Sequence, residues 1–134
     1  MRPVRVLLVE DDEDLREILV LLFEDDEAFS VSAAIDGVDA LVQLSFGPAP
    51  DVIVLNLQMP VVGGAEVLEY LRLESDTPAV PVVVATGAAV PEDVVRRASC
   101  VLEKPFGHDE LLDAIRRVLP GGQPPSPTPP PAVV

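Results

Sequence analysis

The sequence contains few basic and few reactive side chains. Its 134 residues include one lysine, one histidine, one cysteine and no tryptophan, and aromatic residues make up 4% of the chain. A single cysteine cannot form an internal disulfide, which suits a reducing compartment, so we expect a cytoplasmic protein. Nine basic residues stand against 23 acidic ones, for a formal net charge of −14. Because nucleic-acid binding requires a basic patch, we expect no nucleic-acid partner.

Long hydrophobic runs are also missing from the sequence. No apolar run approaches the roughly 18 residues that a membrane span needs, so we expect no membrane association. Apolar residues still make up 49% of the chain, which favours a folded domain over disorder. The length is that of one domain with a single core.

Short apolar runs alternate with amphipathic stretches along the chain. The runs are rich in Val, Ile and Ala and have the length of buried strands, and the stretches between them have helical periodicity. Five strand–helix units of this kind predict an α/β fold with a doubly wound parallel sheet and helices on both faces. The predicted strands are 4–9, 29–34, 51–56, 81–86 and 100–103, and the predicted helices are about 12–26, 37–46, 64–73, one opening at residue 91, and about 108–119.

The composition changes abruptly at Pro120. Seven of the last 15 residues are proline and none is charged, which is typical of an extended linker or a disordered tail. We therefore predict a folded domain over residues 1–119 and a Pro-rich tail or linker over residues 120–134.

Polar residues stand at the ends of four predicted strands, where open α/β sheets bind their ligands. They are Glu10 and Asp11 after the first strand, Asn56 at the third, Thr86 at the fourth and Lys104 after the fifth. Such a set could hold a divalent cation on oxygens, and a phosphoryl group on the cation, the hydroxyl and the ammonium. Position 56 thus lies in an acidic pocket whose sequence context favours an aspartate. The neutral amide of Asn56 cannot supply the negative charge of a carboxylate there.

These motifs resemble those of response-regulator receiver domains over about residues 4–119. The matching segments are 6–12, 51–60, 82–87 and 102–106, which read VLLVEDD, DVIVLNLQMP, VVVATG and LEKPF. The resemblance implies a flavodoxin-like (βα)5 fold with strand order 2-1-3-4-5. It also implies a signalling module of bacterial two-component phosphorelays rather than an enzyme. A histidine kinase or another signalling protein would be its partner, and weak homodimerisation through the first or fifth helix is compatible with the family.

The resemblance also implies roles for individual residues. In the family, a histidine kinase donates phosphate to an aspartate at the end of the third strand, and Asn56 stands at that position. The other matches are Glu10 and Asp11 to the acidic pair that helps to bind Mg²⁺, the backbone carbonyl of Gln58 to a further metal ligand, Thr86 to the switch hydroxyl, and Lys104 to the lysine that pairs with the phosphoryl group. The bond before Pro105 resembles one that is often cis in the family.

The sequence departs from the family pattern in three places. Asn56 lacks the carboxylate oxygen that attacks phosphorus, so we expect no acyl phosphate there. The pocket also has one carboxylate fewer beside Lys104, so we expect a weakened Mg²⁺ site at Glu10, Asp11, Asn56 and Gln58. Val101 stands where many receivers carry an aromatic that changes rotamer, and a β-branched side chain is stiff. Only 17 residues separate Thr86 from Lys104, which predicts a short or irregular fourth helix.

Three functional hypotheses follow from these residues. The first is a phosphorylation-incompetent receiver, or pseudo-receiver, that acts through protein–protein interaction. The second is an ordinary Mg²⁺-dependent phosphoacceptor receiver in which an engineered asparagine replaces the aspartate at position 56. The third is a small flavodoxin-like enzyme or nucleotide binder, which is disfavoured because the loop after the first strand, EDDED, is the opposite of a glycine-rich phosphate cradle.

Overall fold

The computed structural model describes residues 2–73, 80–87 and 89–120, so most of the predicted tail lies outside the described residues. Five strands alternate with five helices in that part of the chain. None of these helices is long and apolar enough to cross a bilayer. The elements are β1 (Val4–Val9), α1 (Glu13–Glu24), β2 (Phe29–Ala34), α2 (Gly37–Phe46), β3 (Val52–Asn56), α3 (Gly64–Leu73), β4 (Val82–Thr86), α4 (Glu92–Arg97), β5 (Cys100–Glu103) and α5 (His108–Val118).

The strands form one parallel sheet in the order β2-β1-β3-β4-β5. This order confirms the predicted doubly wound topology. Every residue of β3 and β4 is buried, because helices cover both faces of these inner strands. In the register, Asn56 stands opposite Ala85, and Thr86 stands opposite Glu103. The carboxyl ends of β3, β4 and β5 therefore meet at one edge of the sheet.

The alternation of side chains along each strand divides the core into two apolar clusters. In β1, Val6 and Leu8 pack with buried residues of α1 and α5. Leu7 and Val9 face the other way and pack with buried residues of α2, α3 and α4. Helices on both faces follow from this alternation, as the apolar strand sequences predict.

The fourth helix is short, as the interval between Thr86 and Lys104 predicts. It contains six residues, Glu92–Arg97. The guanidinium of Arg72, near the end of α3, donates two hydrogen bonds to the carbonyl of Arg97, at 2.8 and 3.1 Å, and one to Val80 at 3.0 Å. Burial lowers the pKa of Arg72 below its ordinary value. Arg72 thus satisfies a terminal carbonyl of α4 that a longer helix would have bonded internally.

An ion pair lies at the amino ends of the strands, on the side of the sheet opposite the carboxyl ends. Asp51, just before β3, accepts hydrogen bonds from both terminal nitrogens of Arg2, at 2.8 and 3.0 Å, and from the backbone N–H of Arg5 at 2.8 Å. Burial alone would raise the pKa of Asp51, but these hydrogen bonds and the two arginine charges outweigh it and lower the pKa below 3.8. The segment before β3 is thereby tied to β1.

Candidate functional site

A polar pocket lies at the carboxyl edge of the sheet. Glu10, Asn56 and Thr86 are 2%, 7% and 1% exposed, and they are the buried polar residues of the described chain. Each one ends or directly follows a strand, so the parallel sheet brings all of them to one edge. Buried polar groups are normally hydrogen-bonded, and the bonding of this pocket determines what it can do.

The side-chain amide of Asn56 occupies the centre of the pocket. Its Nδ2 donates to Oε2 of Glu10 at 3.0 Å, to Oδ1 of Asp11 at 2.8 Å and to the backbone carbonyl of Gln58 at 3.1 Å. Because an amide nitrogen carries two hydrogens, these three acceptors share them. All three acceptors are groups to which the family resemblance assigns Mg²⁺. The amide nitrogen thus bonds to the oxygens that a cation would require.

Lys104 completes the bonding of the pocket. Its Nζ lies 2.9 Å from Oε1 of Glu10 and 3.4 Å from Oδ1 of Asn56. The Glu10 side chain is 3% exposed and that of Lys104 is 25% exposed. A buried carboxylate needs such a partner, because an unpaired charge in the interior is strongly unfavourable. With Lys104 on one oxygen and Asn56 on the other, Glu10 is neutralised within the chain.

Two further contacts hold Glu10 in position. The backbone N–H of Asp12 donates to Oε2 of Glu10 at 3.2 Å. The guanidinium of Arg16, one turn into α1, donates to the backbone carbonyl of Glu10 at 3.0 Å. The sequence reasoning missed Arg16, although a signal was present: it is the only basic residue in the acid-rich stretch from Glu10 to Glu27.

In this orientation, the Asn56 amide nitrogen occupies the oxygens that a magnesium ion would otherwise contact. Carboxylate and carbonyl oxygens are suitable Mg²⁺ ligands, and Glu10, Asp11 and Gln58 offer them. A cation would have to displace the three hydrogen bonds of Nδ2 and would meet the positive end of the amide dipole. In the described residues, no three His, Cys, Asp or Glu side chains lie close enough together to share a metal ion.

The backbone beneath Asn56 is shaped by a close approach of α3. Gly64 begins this helix, and its N–H donates to the carbonyl of Leu57 at 2.9 Å. A Cβ at position 64 would collide with the carbonyl oxygen of Asn56 and lie 2.7 Å from Cα of Leu57. Position 64 therefore requires glycine, because no side chain fits between the helix and the strand end.

Thr86 and Lys104 also line a polar cleft beside the pocket, with a volume of about 260 Å³. The backbone N–H of Lys104 donates to the carbonyl of Thr86 at 2.8 Å. The peptide bond between Lys104 and Pro105 is cis, which agrees with the family resemblance. Val101 is half-buried and packs against the cluster under α2, α3 and α4. This valine offers no aromatic ring to move with Thr86.

The structure thus places the site residues predicted from the sequence around a single point. Glu10, Asp11, Gln58 and Lys104 all contact the Asn56 side chain, and Thr86 lies on the neighbouring strand end. Chemically, the pocket contains two carboxylates, one ammonium and one neutral amide. It has no carboxylate at position 56 that could attack a phosphoryl group.

Comparison with protein-family models matches the response regulator receiver domain over residues 6–116. Among curated proteins, the response regulator MprA of Mycobacterium sp. (strain KMS) is 39% identical over 121 residues, which cover 87% of this chain and 51% of that protein. MprA of Mycobacterium tuberculosis (strain ATCC 25177 / H37Ra) is 38% identical over 120 residues, which cover 87% of this chain and 50% of that protein. The chain therefore spans about half the length of these relatives.

Solved structures give the same match at the level of the fold. The chemotaxis response regulator CheY4 of Vibrio cholerae superposes with a TM-score of 0.77 at 30% identity, covering 87% of this chain and 99% of that one. The receiver domain of the Francisella response regulator 1452 superposes with a TM-score of 0.74 at 26% identity, covering 85% and 94% of the two chains.

Proposed function

This chain belongs to the response regulator receiver domain family, and from that premise we propose that it is a receiver that cannot accept a phosphoryl group at position 56. Receivers of this family serve as signalling modules in two-component systems. The observation that supports the proposal is the position of the Asn56 amide, which is hydrogen-bonded to Glu10, Asp11 and Gln58. The chain would then act through protein contacts that do not depend on its phosphorylation.

The chemistry of the amide supports this proposal directly. Phosphoryl transfer to a receiver requires an anionic carboxylate oxygen as the nucleophile. The Asn56 oxygen is neutral, and it already faces the ammonium of Lys104. Its nitrogen is a poor nucleophile, because the lone pair is delocalised into the carbonyl and both hydrogens are donated to acceptors. No acyl phosphate can form on this side chain.

Weak magnesium binding is the second part of the proposal. Three clustered carboxylates repel one another and attract a divalent cation, whereas this pocket has two carboxylates and one ammonium. The amide and Lys104 together stabilise the pocket in the way that a cation would. We therefore expect Glu10, Asp11 and the Gln58 carbonyl to bind Mg²⁺ less tightly than an aspartate-containing pocket.

The partner in this proposal is another signalling protein, either a histidine kinase or a downstream protein. Val101 and the six-residue helix α4 support signalling without a switch. A stiff β-branched side chain cannot transmit a movement of Thr86 by changing rotamer. The departures therefore affect signal transmission as well as the phosphoacceptor position.

In a second candidate function, the natural protein carries an aspartate at position 56 and is phosphorylated there. In that case an ordinary Mg²⁺-dependent receiver has had its aspartate at position 56 changed to asparagine. The completeness of the remaining pocket favours it, since Glu10, Asp11 and Lys104 all surround position 56. Val101 and the short α4 favour natural divergence instead, because neither change is needed to block phosphorylation.

The proposal is tested by phosphorylating the chain and its Asn56→Asp variant in parallel. Both proteins are incubated with Mg²⁺ and a small acyl-phosphate donor, and their intact masses are measured. We expect no phosphoryl adduct on the parent chain. An adduct on the variant alone means that the remaining site is functional, and the absence of one on both proteins means that the pocket has diverged further. An adduct on the parent chain that disappears in Asn56→Ala would overturn the proposal.

A further inference from the structure

The exposed face of α2 carries an apolar strip. Val38, Val42 and Phe46 are 48%, 50% and 86% exposed. They are spaced four residues apart, so they lie in a row along one side of the helix. We call these three residues the α2 strip. Large apolar side chains in contiguous exposed rows are typical of interaction surfaces rather than of free surface.

The α2 helix is almost uncharged in a strongly acidic chain. Asp39 is its only charged residue, and the Asp39 carboxylate accepts from the backbone N–H of Ile35 at 2.9 Å and from the Gln43 amide at 3.3 Å. The α1 helix, by contrast, carries four acids and one arginine. Two copies of a chain with net charge −14 repel each other where acidic faces meet. This local repulsion is therefore smaller between two α2 faces than between two α1 faces.

A cleft lies beside the end of the strip. Its volume is about 330 Å³, and Leu44, Gly47, Pro48 and Pro50 contribute to its apolar wall. Ser32 of the edge strand β2 lines the same cleft. Small-molecule pockets in proteins begin at about 300 Å³, so the cleft can accommodate a phenyl ring. The remaining lining is mixed and includes Arg5 and Gln43. Phe46 stands in the chain between two of the lining residues, Leu44 and Gly47, so an exposed ring neighbours a recess that is apolar along one wall.

We propose that a second copy of this chain binds to the α2 strip, with Phe46 of each copy inserted into the cleft of the other. An interface around a two-fold axis requires one patch that is complementary to itself, and an adjacent ring and recess meet that requirement. Apolar α2 rows pack against each other at the same time, in the way helices pack through residues spaced by four. The proposal does not depend on the absence of phosphorylation, since Asn56 takes no part in this contact.

The dimer is weak and strengthens with salt. A few apolar side chains bury less area than the roughly 1,200–2,000 Å² of stable interfaces, so association should depend on concentration. Added salt screens the repulsion between two acidic copies. A dimer held by ion pairs would show the opposite salt dependence. The sign of the salt effect therefore reports the chemistry of the interface.

The experiment is sedimentation velocity on the full chain over a range of concentrations and at two salt concentrations, comparing the 14.3 kDa monomer with its dimer. Phe46→Asp should weaken dimerisation at least about 30-fold, as expected for an aromatic residue at the centre of an interface. Ser32→Tyr fills the cleft from within and should also weaken dimerisation. This variant should fold, because aromatic residues suit an exposed strand position. Leu21→Asp is the matched control, since Leu21 is 64% exposed on α1, and it should leave the dimer unchanged.

Two results would overturn the proposal. One is a parent chain that stays monomeric at every concentration and salt level. The same result is expected when another part of the chain or a different protein occupies the strip. The other is a dimer that survives both Phe46→Asp and Ser32→Tyr, which would place the contact elsewhere, and on α1 where Leu21→Asp abolishes it. Circular dichroism establishes that each variant is folded. Should Phe46→Asp fail to fold, Ser32→Tyr and the salt dependence decide the matter.

Discussion

The pocket around Asn56 and the α2 strip are opposite in their chemistry and in their exposure. Glu10 and Asn56 are nearly inaccessible and bonded to partners within the chain, whereas Phe46 at the end of the strip is 86% exposed. The pocket has charged groups whose interactions are satisfied internally. The strip has almost no charge and apolar area left in contact with water. Polar residues that come together in a pocket can therefore bond to one another and leave little of the pocket open to a ligand.

Removing the Lys104 ammonium should have the largest effect on stability, because it breaks the ion pair between Lys104 and the buried Glu10. Lys104→Met leaves Glu10 buried without its ammonium, and breaking a buried pair in this way destabilises a protein by about 3–5 kcal/mol. We expect a loss of this size in the free energy of unfolding, measured by urea denaturation. Glu10→Gln combined with Lys104→Met removes both charges and should recover part of the loss. A Lys104→Met variant as stable as the parent would mean that the pocket is open to water.

Asn56→Asp should make the stability of the pocket depend on magnesium. The variant loses the hydrogen bonds that Nδ2 donates to Glu10 and Asp11 and places a third carboxylate beside them, which should destabilise the metal-free protein by about 2 kcal/mol. A cation that binds only the folded state reverses this loss. Thermal unfolding with and without millimolar Mg²⁺ is the measurement.

The control for that prediction is the parent chain under the same conditions. Its melting temperature should change little with Mg²⁺, because the amide and Lys104 already compensate Glu10. An equal increase in both proteins would show that the asparagine does not weaken the metal site. It would also show that the Asn56 pocket is open to a cation, so that the pocket and the α2 strip would no longer differ in their accessibility.

Val61→Asn should have the smallest of the three effects, and it lies in the loop between β3 and α3. Val61 adopts a φ of 65° and is 90% exposed, and the next residue, Val62, packs against Gly37 at the start of α2. Positive φ is strained for a β-branched residue, whereas asparagine tolerates it. We expect Val61→Asn to stabilise the fold by about 1 kcal/mol in urea denaturation. Val61→Ala retains the Cβ and should gain less, and a loss in both variants would show that the valine side chain makes a stabilising contact.

Local sequence patterns were sufficient to predict the elements of this fold. Apolar runs and helical periodicity predicted all five strands, and the starts of all five helices, to within about two residues. Parallel pairing also brought Asn56 and Lys104 to one edge. These signals are local or topological, and they do not depend on how a particular side chain is oriented. Their success explains why the fold and the identity of most pocket residues could be predicted.

The bonding of the pocket could not be predicted in the same way. Asn56 bonds to Glu10 across 46 positions of sequence, and Lys104 bonds to Glu10 across 94. Which atom of the amide faces the carboxylates is determined by every neighbour at once. Arg16 was missed for the same reason, since its contact is with a backbone carbonyl and not with a residue type that a motif specifies.

The sequence by itself determined that this chain forms a five-stranded parallel sheet with an asparagine at the end of its third strand. Periodicity, strand ends and motif order contain that information, because they depend on neighbours along the chain. Only the tertiary structure decided that the Asn56 nitrogen bonds to Glu10, Asp11 and the Gln58 carbonyl, and that Phe46 is exposed next to residues that line a cleft. Hydrogen-bond partners and exposed surface are set by distances between residues far apart in sequence, which packing alone determines.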